Sequence, residues 1–185
     1  MSAFEAMWNN YYRLASRGPH LGPPPVADSY PFYVLIESAG ADLEAEAGHF
    51  LDALSRATDL GLLQDAVLAQ SEKERAAFWA IRDNIESLAA LWPLAIFDIS
   101  LPLATMEDYL ERTGARLAQR LGELRWVTFG HLGDSNLHLA IALGGDDPGL
   151  RHAVEEIVYG ELAGIGGSVS AEHGIGLEKR EFLHC

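Results

Sequence analysis

The sequence predicts an α+β domain whose sheet is mostly antiparallel, with helices packed on one face. Two observations lead to this class. Apolar runs that are typical of strands alternate with segments of helical periodicity, which favours one sheet covered by helices. Two neighbouring apolar runs within residues 125–143 are separated only by a short polar turn. They predict a hairpin, so the sheet is not wholly parallel, and the resulting split βαβ pattern is of the ferredoxin-like type.

The N-terminal residues 1–17 predict a separate amphipathic helix. Apolar side chains recur there at helical spacing, at Phe4, Met7, Trp8, Tyr11 and Leu14. Residues 18–30 predict an extended linker, because five of the eight prolines lie between residues 18 and 31. Residues 31–185 form the main domain of this interpretation.

The main domain alternates strands and helices. Strands are predicted in the apolar runs of 31–40 and 92–102 and in the hairpin at 125–143, and a short strand is predicted within 62–70. Helices are predicted in 41–58, from Ser71, from Thr105 and within 146–167. Ser71 and Glu74 form a capping box, and Thr105 is the predicted N-cap of the helix that follows it. A short strand in 167–180 leads into a glycine-rich loop.

The charge balance excludes several classes of partner. The formal net charge is −14, from 27 acidic and 13 basic residues. Such a chain repels the phosphates of nucleic acids and of anionic membranes, so neither is a predicted partner. Cys185 is the single cysteine, and a chain that can form no internal disulfide is typical of a reducing compartment. Because the N-terminus also lacks the regions of a signal peptide, we expect a cytoplasmic protein.

The hairpin carries the first candidate site. His131 ends one strand and His138 lies seven residues later in the next strand. A turn from Leu132 to Ser135 places Asn136 roughly opposite His131, so His138 becomes a diagonal neighbour of His131 on the same face. Two imidazoles that converge in this way predict a metal pair, although histidines near a turn commonly have no such role.

A second motif, SAEHGIGLEKR, supplies a carboxylate at Glu172 and a further imidazole at His173. Adjacent side chains in extended backbone point apart, so Glu172 faces a metal and His173 a substrate, or the reverse. Gly174 and Gly176 allow another group to approach the backbone closely, but they do not form a dinucleotide fingerprint. Two histidines and Glu172 make a three-ligand set with open positions, suited to Zn, Mn or Fe. His173 is then the candidate general base. Arg82 either binds a substrate carboxylate or, as is more common, bridges helices.

Together these stretches resemble a known family. GHLGDSNLHLAI and GSVSAEHGIGLEKR, with FWAIRDNIESL and FDISLPLATMEDYL, resemble the C-terminal domain of FAD-linked oxidases. That group includes D-lactate, glycolate and D-2-hydroxyglutarate dehydrogenases and lies within the vanillyl-alcohol-oxidase flavoprotein superfamily. The resemblance covers roughly residues 30 to 181.

The resemblance implies a role for each candidate residue. It implies that the ligands of a divalent metal, Zn or Mn, are His131, His138 and Glu172. It implies that Arg82 and Asn136 bind a small 2-hydroxy acid and that His173 removes the hydroxyl proton, while hydride passes to FAD. Gly174 and Gly176 are the candidate cofactor-binding residues of this chain.

Two departures from the family pattern matter. Ser135 stands where the family usually has glycine, so the turn is strained if it needs a positive φ. Ile96 stands where several relatives carry a lysine for a distal carboxylate, which argues against a dicarboxylate substrate.

The family's FAD-binding domain has no counterpart in this sequence, and relatives continue beyond its end. We therefore expect a truncated substrate and metal domain that is inactive alone. Its expected partners are an FAD-binding domain, an electron acceptor and a second copy of the chain in a homo-oligomer. Two alternatives remain open: a metal-dependent hydrolase or lyase, and a non-catalytic domain that retains the fold.

Overall fold

The computed structural model describes residues 1–18 and 20–183, so Cys185 lies outside the described residues. Five strands form one antiparallel sheet in the order β2-β1-β4-β5-β3. The strands are β1 Ala3–Trp8, β2 Phe32–Glu37, β3 Leu94–Ser100, β4 Trp126–His131 and β5 Asn136–Ala142. The α-helices are α1 Asn9–Ala15, α2 Leu43–Asp59, α3 Glu72–Arg82, α4 Met106–Leu121 and α5 Pro148–Tyr159. The predicted α+β class with an antiparallel sheet is confirmed.

The ferredoxin-like unit runs from β3 to a short bridge after α5. β5 lies between β3 and β4 and is antiparallel to both, so β3, α4 and β4 form a split βαβ unit. On the other edge of β3, Ser168 exchanges two backbone hydrogen bonds with Ser100. This bridge stands where the fourth strand of a ferredoxin-like sheet would lie.

Two apolar clusters cover the two faces of the sheet. α4 and α5 pack on one face, where Phe97, Leu139 and Ile157 are almost completely buried. The opposite face is partly covered by α1, α3 and a 3₁₀ helix, Ile85–Leu91. The prediction of helices on one face therefore holds for the ferredoxin-like unit, and the N-terminal part adds helices to the other face.

The predicted N-terminal helix is wrong for Ala3–Trp8, which form β1. This strand lies between β2 and β4 in the same sheet as the rest of the chain. Both faces of the sheet are covered here, so Glu5, Ala6 and Met7 are buried in succession. The apolar residues of such a strand do not alternate, and their spacing imitates that of a helix. The helix occupies only Asn9–Ala15.

The predicted linker is tied to the sheet by side chains on either side of it. Asn9 donates to the carbonyls of Asp28 and Tyr30, and the Tyr33 hydroxyl donates to the carbonyl of Ala27. Residues 18–30, of which residue 19 lies outside the described part, therefore connect α1 to β2 as a loop of one sheet.

Two local predictions differ from the structure. No strand is formed within residues 62–70, because no ladder hydrogen bonds join them to the sheet, and β2 ends the sheet without a further strand. The Ser71 hydroxyl caps α3 as predicted, at 3.3 Å from the N–H of Glu74. Thr105 stands at the predicted N-cap position of α4 but donates to the carbonyl of Pro102 instead, so it makes no side-chain cap.

Within the described residues, no helix is long and apolar enough to cross a membrane.

Candidate metal and substrate site

The predicted histidine pair lies on the sheet face opposite α4 and α5. His138 in β5 is the register partner of Phe129, and His131 follows two residues later at the end of β4. Their side chains therefore project from the same face, and their ring centroids lie 5.5 Å apart. The predicted convergence of the two imidazoles is present, because the hairpin register is the one that the turn length indicated.

Glu172 completes the cluster from the loop that follows Ser168. Its two carboxylate oxygens lie 3.8 Å from His131 Nε2 and 4.0 Å from His138 Nε2. One ligand atom from each of the three side chains lies within 4.8 Å of the others. Ligand atoms around a tetrahedral zinc are about 3.3 Å apart. The three groups therefore need to close by about 1 Å to hold an ion, a movement within reach of the half-exposed Glu172 side chain.

Asp98 in β3 fixes the loop that carries Glu172. One of its carboxylate oxygens accepts hydrogen bonds from the backbone N–H groups of Glu172, at 3.0 Å, and His173, at 2.8 Å. Burial acts to raise the pKa of Asp98, but these N–H groups, with Lys179 and His138, hold that pKa below its usual value. Asp98 therefore stays ionised and holds the loop against the sheet.

Arg82 lies within the site rather than on the surface. Its Nε donates to Glu5 Oε2 at 2.7 Å, and one terminal nitrogen lies 2.8 Å from His131 Nε2. The side chains of Arg82 and Glu5 are only 10% and 8% exposed. The arginine thus both bridges elements and presents its guanidinium beside the histidine pair, so the two interpretations of this residue are compatible.

Comparison with known proteins identifies the family. The family described as FAD linked oxidases, C-terminal domain, matches residues 1–184. The chain belongs to this family. It is 38% identical to the mitochondrial D-2-hydroxyglutarate dehydrogenase of Bos taurus and 33% identical to a putative mitochondrial D-lactate dehydrogenase of Schizosaccharomyces pombe. In both cases the match covers 99% of this chain, but only 33% and 36% of the relative, so the chain spans about a third of their length.

The other predicted site residues of this FAD-linked oxidase domain are placed as follows. His173 is exposed, and its ring centroid lies 6.5 Å from that of His138. Asn136 shares the face of His138 but is fully buried, and its amide atoms have no hydrogen-bond partner among the described residues. Gly174 and Gly176 have φ values of 72° and 55°, a conformation that favours glycine. The roles of these four residues stay predictions.

The charge state of His138 follows from its surroundings. Burial lowers the pKa of this imidazole, and the neighbouring His131 and Arg82 add to the effect, while Asp98 and Glu172 oppose it. In this FAD-linked oxidase domain the ring is therefore neutral at pH 7, which is the form that binds a metal.

Three residues that contact the candidate cluster or its loop were not named as site residues from the sequence: Glu5, Asp98 and Lys179. Glu5 lies in the segment assigned to a separate helix, and nothing in the local sequence connects it to His131. Asp98 stands in the quoted FDISLP motif, which was a usable signal. Lys179, at the end of GIGLEK, donates to the carbonyl of Asp98 at 3.2 Å and to the Ser170 hydroxyl at 3.3 Å.

Proposed function

We propose that this chain forms the substrate- and metal-binding part of an FAD-dependent dehydrogenase that oxidises a D-2-hydroxy acid to the 2-oxo acid. The observation that carries the proposal is the convergence of His131, His138 and Glu172 beside the Arg82 guanidinium. The names of the relatives, dehydrogenases of D-2-hydroxyglutarate and D-lactate, support the same class of substrate.

The donor set fits a divalent metal. Two imidazole nitrogens and a carboxylate are ligands that Zn and Mn both accept, and three protein ligands leave positions open for a substrate. The buried Asp98 Oδ1, which has no hydrogen-bond partner among the described residues, adds negative charge beside this cluster. A bound divalent ion would lower the pKa of the substrate hydroxyl.

The remaining side chains have separate tasks in this proposal. Arg82 binds the substrate carboxylate, because a guanidinium can donate two parallel hydrogen bonds to it. His173 takes the hydroxyl proton, since its ring is exposed and its centroid lies 6.5 Å from that of the candidate ligand His138. Asn136 orients the substrate or, from its buried position, the hairpin that carries both histidines.

FAD supplies the hydride acceptor and, in this proposal, is held mainly by the part of the relatives that this chain does not span. Gly174 and Gly176 are the residues of this chain that leave backbone open toward it, because a β-carbon added at either position would meet no other group within 4 Å. An FAD-binding domain, an electron acceptor, a second copy of the chain and a cytoplasmic location all belong to the proposal. Isolated, the chain is expected to be inactive.

Membership in the FAD-linked oxidase family favours this function over the alternatives from sequence. A hydrolase or lyase could use the same three ligands, but it would not need a flavin. A non-catalytic domain would not need the ligands at all. Ile96 is 55% exposed on the face that also carries Asp98, and its argument against a dicarboxylate substrate stays a prediction.

Metal content tests the proposal directly. The purified chain is incubated with Zn or Mn, passed through a desalting column and measured by inductively coupled plasma mass spectrometry. We expect about one ion per chain, lost in His131→Ala and Glu172→Ala and retained in His49→Ala, whose side chain is exposed on α2. An ion count that is zero in the parent chain, or unchanged in the two ligand variants, contradicts the proposal.

Substrate binding tests its second half. Calorimetric titration of the metal-loaded chain with D-lactate, D-2-hydroxyglutarate and L-lactate is expected to show D-lactate bound most tightly, because Ile96 argues against the dicarboxylate. Arg82→Lys is expected to weaken the binding of D-lactate at least tenfold. Equal binding of D-lactate and L-lactate would contradict a site for D-2-hydroxy acids, and an unchanged affinity in Arg82→Lys would remove Arg82 from the proposed role.

A further inference from the structure

Both candidate metal-binding histidines have the same two kinds of neighbour. Each turns Nε2 toward Glu172, and each turns Nδ1 toward a second carboxylate that is buried in the sheet. For His131 that carboxylate is Glu5 in β1, and for His138 it is Asp98 in β3. The two strands approach the hairpin from different sides, since β1 pairs with β4 and β3 pairs with β5.

The contacts of His131 define which ring nitrogen carries the proton. Glu5 Oε2 lies 2.7 Å from His131 Nδ1, and a carboxylate can only accept, so Nδ1 carries hydrogen. One terminal nitrogen of Arg82 lies 2.8 Å from Nε2 and 3.1 Å from Nδ1, and a guanidinium can only donate. Because Glu5 is the nearer neighbour of Nδ1 and Arg82 is nearer to Nε2, these contacts favour the proton on Nδ1 and the lone pair on Nε2, which faces the cluster.

Asp98 faces Nδ1 of His138 as Glu5 faces Nδ1 of His131. Its Oδ2 is used by the loop N–H groups, while its Oδ1 is buried, has no hydrogen-bond partner within the described part of the chain and lies 4.0 Å from His138 Nδ1. An unpartnered buried acceptor is costly, and Nδ1–H of His138 is the donor that faces it. A closure of about 1 Å, of the size that the ligand cluster itself needs, would form this bond.

We propose that Glu5 and Asp98 are the positioning residues of this site, which hold both imidazoles in the Nδ1–H tautomer so that both Nε2 atoms face the ion. The inference rests on the proposed function. Carboxylates placed behind metal-binding histidines orient the rings and raise their basicity, and their removal typically weakens metal binding 10- to 100-fold. Asp98 also holds the loop of Glu172, so it positions two of the three ligands.

A purely structural role for Glu5 is the competing explanation, because Glu5 also neutralises the buried Arg82. The tautomer of His131 distinguishes the positioning role from the structural role, since a carboxylate that only neutralises Arg82 does not favour one tautomer over the other. Nitrogen-15 NMR of the imidazoles in the metal-free chain reads it directly. We expect His131 as the Nδ1–H form in the parent chain and in Glu161→Gln, a carboxylate substitution on the far side of the sheet. In Glu5→Gln we expect a mixture of tautomers, because an amide can donate as well as accept.

Cobalt affinity gives the second readout. Co²⁺ titration followed by visible absorbance is expected to show dissociation constants raised at least tenfold in Glu5→Gln and Asp98→Asn and changed less than twofold in Glu161→Gln. Should Glu5→Gln fail to fold, Asp98→Asn and the tautomer of His138 carry the same test. A parent chain that binds no Co²⁺ refutes the proposed function. Intact Co²⁺ affinity and unchanged tautomers in both variants, with a parent chain that binds the ion, overturn the positioning roles alone.

Discussion

Removal of Arg82 should destabilise the fold strongly, in addition to any effect on function. Its ion pair with Glu5 is 2.7 Å long, and both side chains are at most 10% exposed. In Arg82→Met the Glu5 carboxylate keeps only His131 as a close partner among the described residues. Breaking a buried ion pair by removing one partner costs about 3–5 kcal/mol, because the other charge stays buried. For a chain of this length that corresponds to a fall in Tm of roughly 6–20 °C.

Urea unfolding tests this prediction, with far-ultraviolet circular dichroism as the signal. The buffer contains a chelator so that metal binding does not contribute to stability. Arg75→Met is the matched control, since Arg75 pairs with Glu37 and Glu72 but is 51% exposed, and we expect a cost of at most about 1 kcal/mol. The double variant Glu5→Leu/Arg82→Met should recover most of the loss, because neither charge is then left alone. A cost for Arg82→Met no larger than that of Arg75→Met, or losses that simply add in the double variant, would refute the reasoning.

Three further predictions concern the frame around the site. Ser135 has a φ of 66°, so Ser135→Gly should raise the free energy of unfolding by about 0.5–1 kcal/mol. This gain is the left-handed strain that glycine relieves, minus the extra conformational entropy that glycine loses on folding. A lower urea midpoint would contradict this prediction. Leu139 is fully buried under α4 and α5, and Leu139→Ala should cost about 2–5 kcal/mol in the same assay, whereas a cost below about 1 kcal/mol would mean that the cavity collapses. The Arg112 hydrogen bond, working against burial and helped by Arg116, holds the pKa of Glu161 below its usual 4.5. Because this pKa is lowered in the folded state, the stabilisation is present above pH 4.5 and is lost as the pH falls through the folded-state pKa. The difference in the free energy of unfolding between the parent chain and Glu161→Gln should therefore shrink in acid. A difference that is constant with pH would contradict this prediction.

Much of the ferredoxin-like unit was predictable because its signals are local. The hairpin register follows from the turn between His131 and Asn136, and that register alone places the two histidines on one face. The Ser71 cap and the alternation of strands and helices in this unit also depend on neighbours in sequence. The comparison of Ser135 with the family's usual glycine raised the possibility of strain at this position, and the φ of 66° shows that the turn does need the left-handed conformation.

The N-terminal part was not predictable by the same means. Ala3–Trp8 have helical spacing, yet they form a strand because two other strands, distant in sequence, supply hydrogen-bond partners on both edges. Residues 62–70 show the reverse case: an apolar run with strand character forms no strand where no ladder partner exists. In both segments the sheet, and not the propensity of the residues, decided the outcome.

The sequence by itself determined the family and the antiparallel α+β class, and it pointed to His131, His138 and Glu172 as candidate ligands, since these depend on motifs and short spacings. Only the tertiary structure decided that Glu5 lies behind His131 and that Arg82 is paired with Glu5. It also decided that Asp98 holds the loop of Glu172 from a strand about 74 positions earlier. Buried charges must find partners, and the partner is whichever group the packed sheet brings within hydrogen-bond distance. That choice is made in three dimensions and leaves no pattern along the chain.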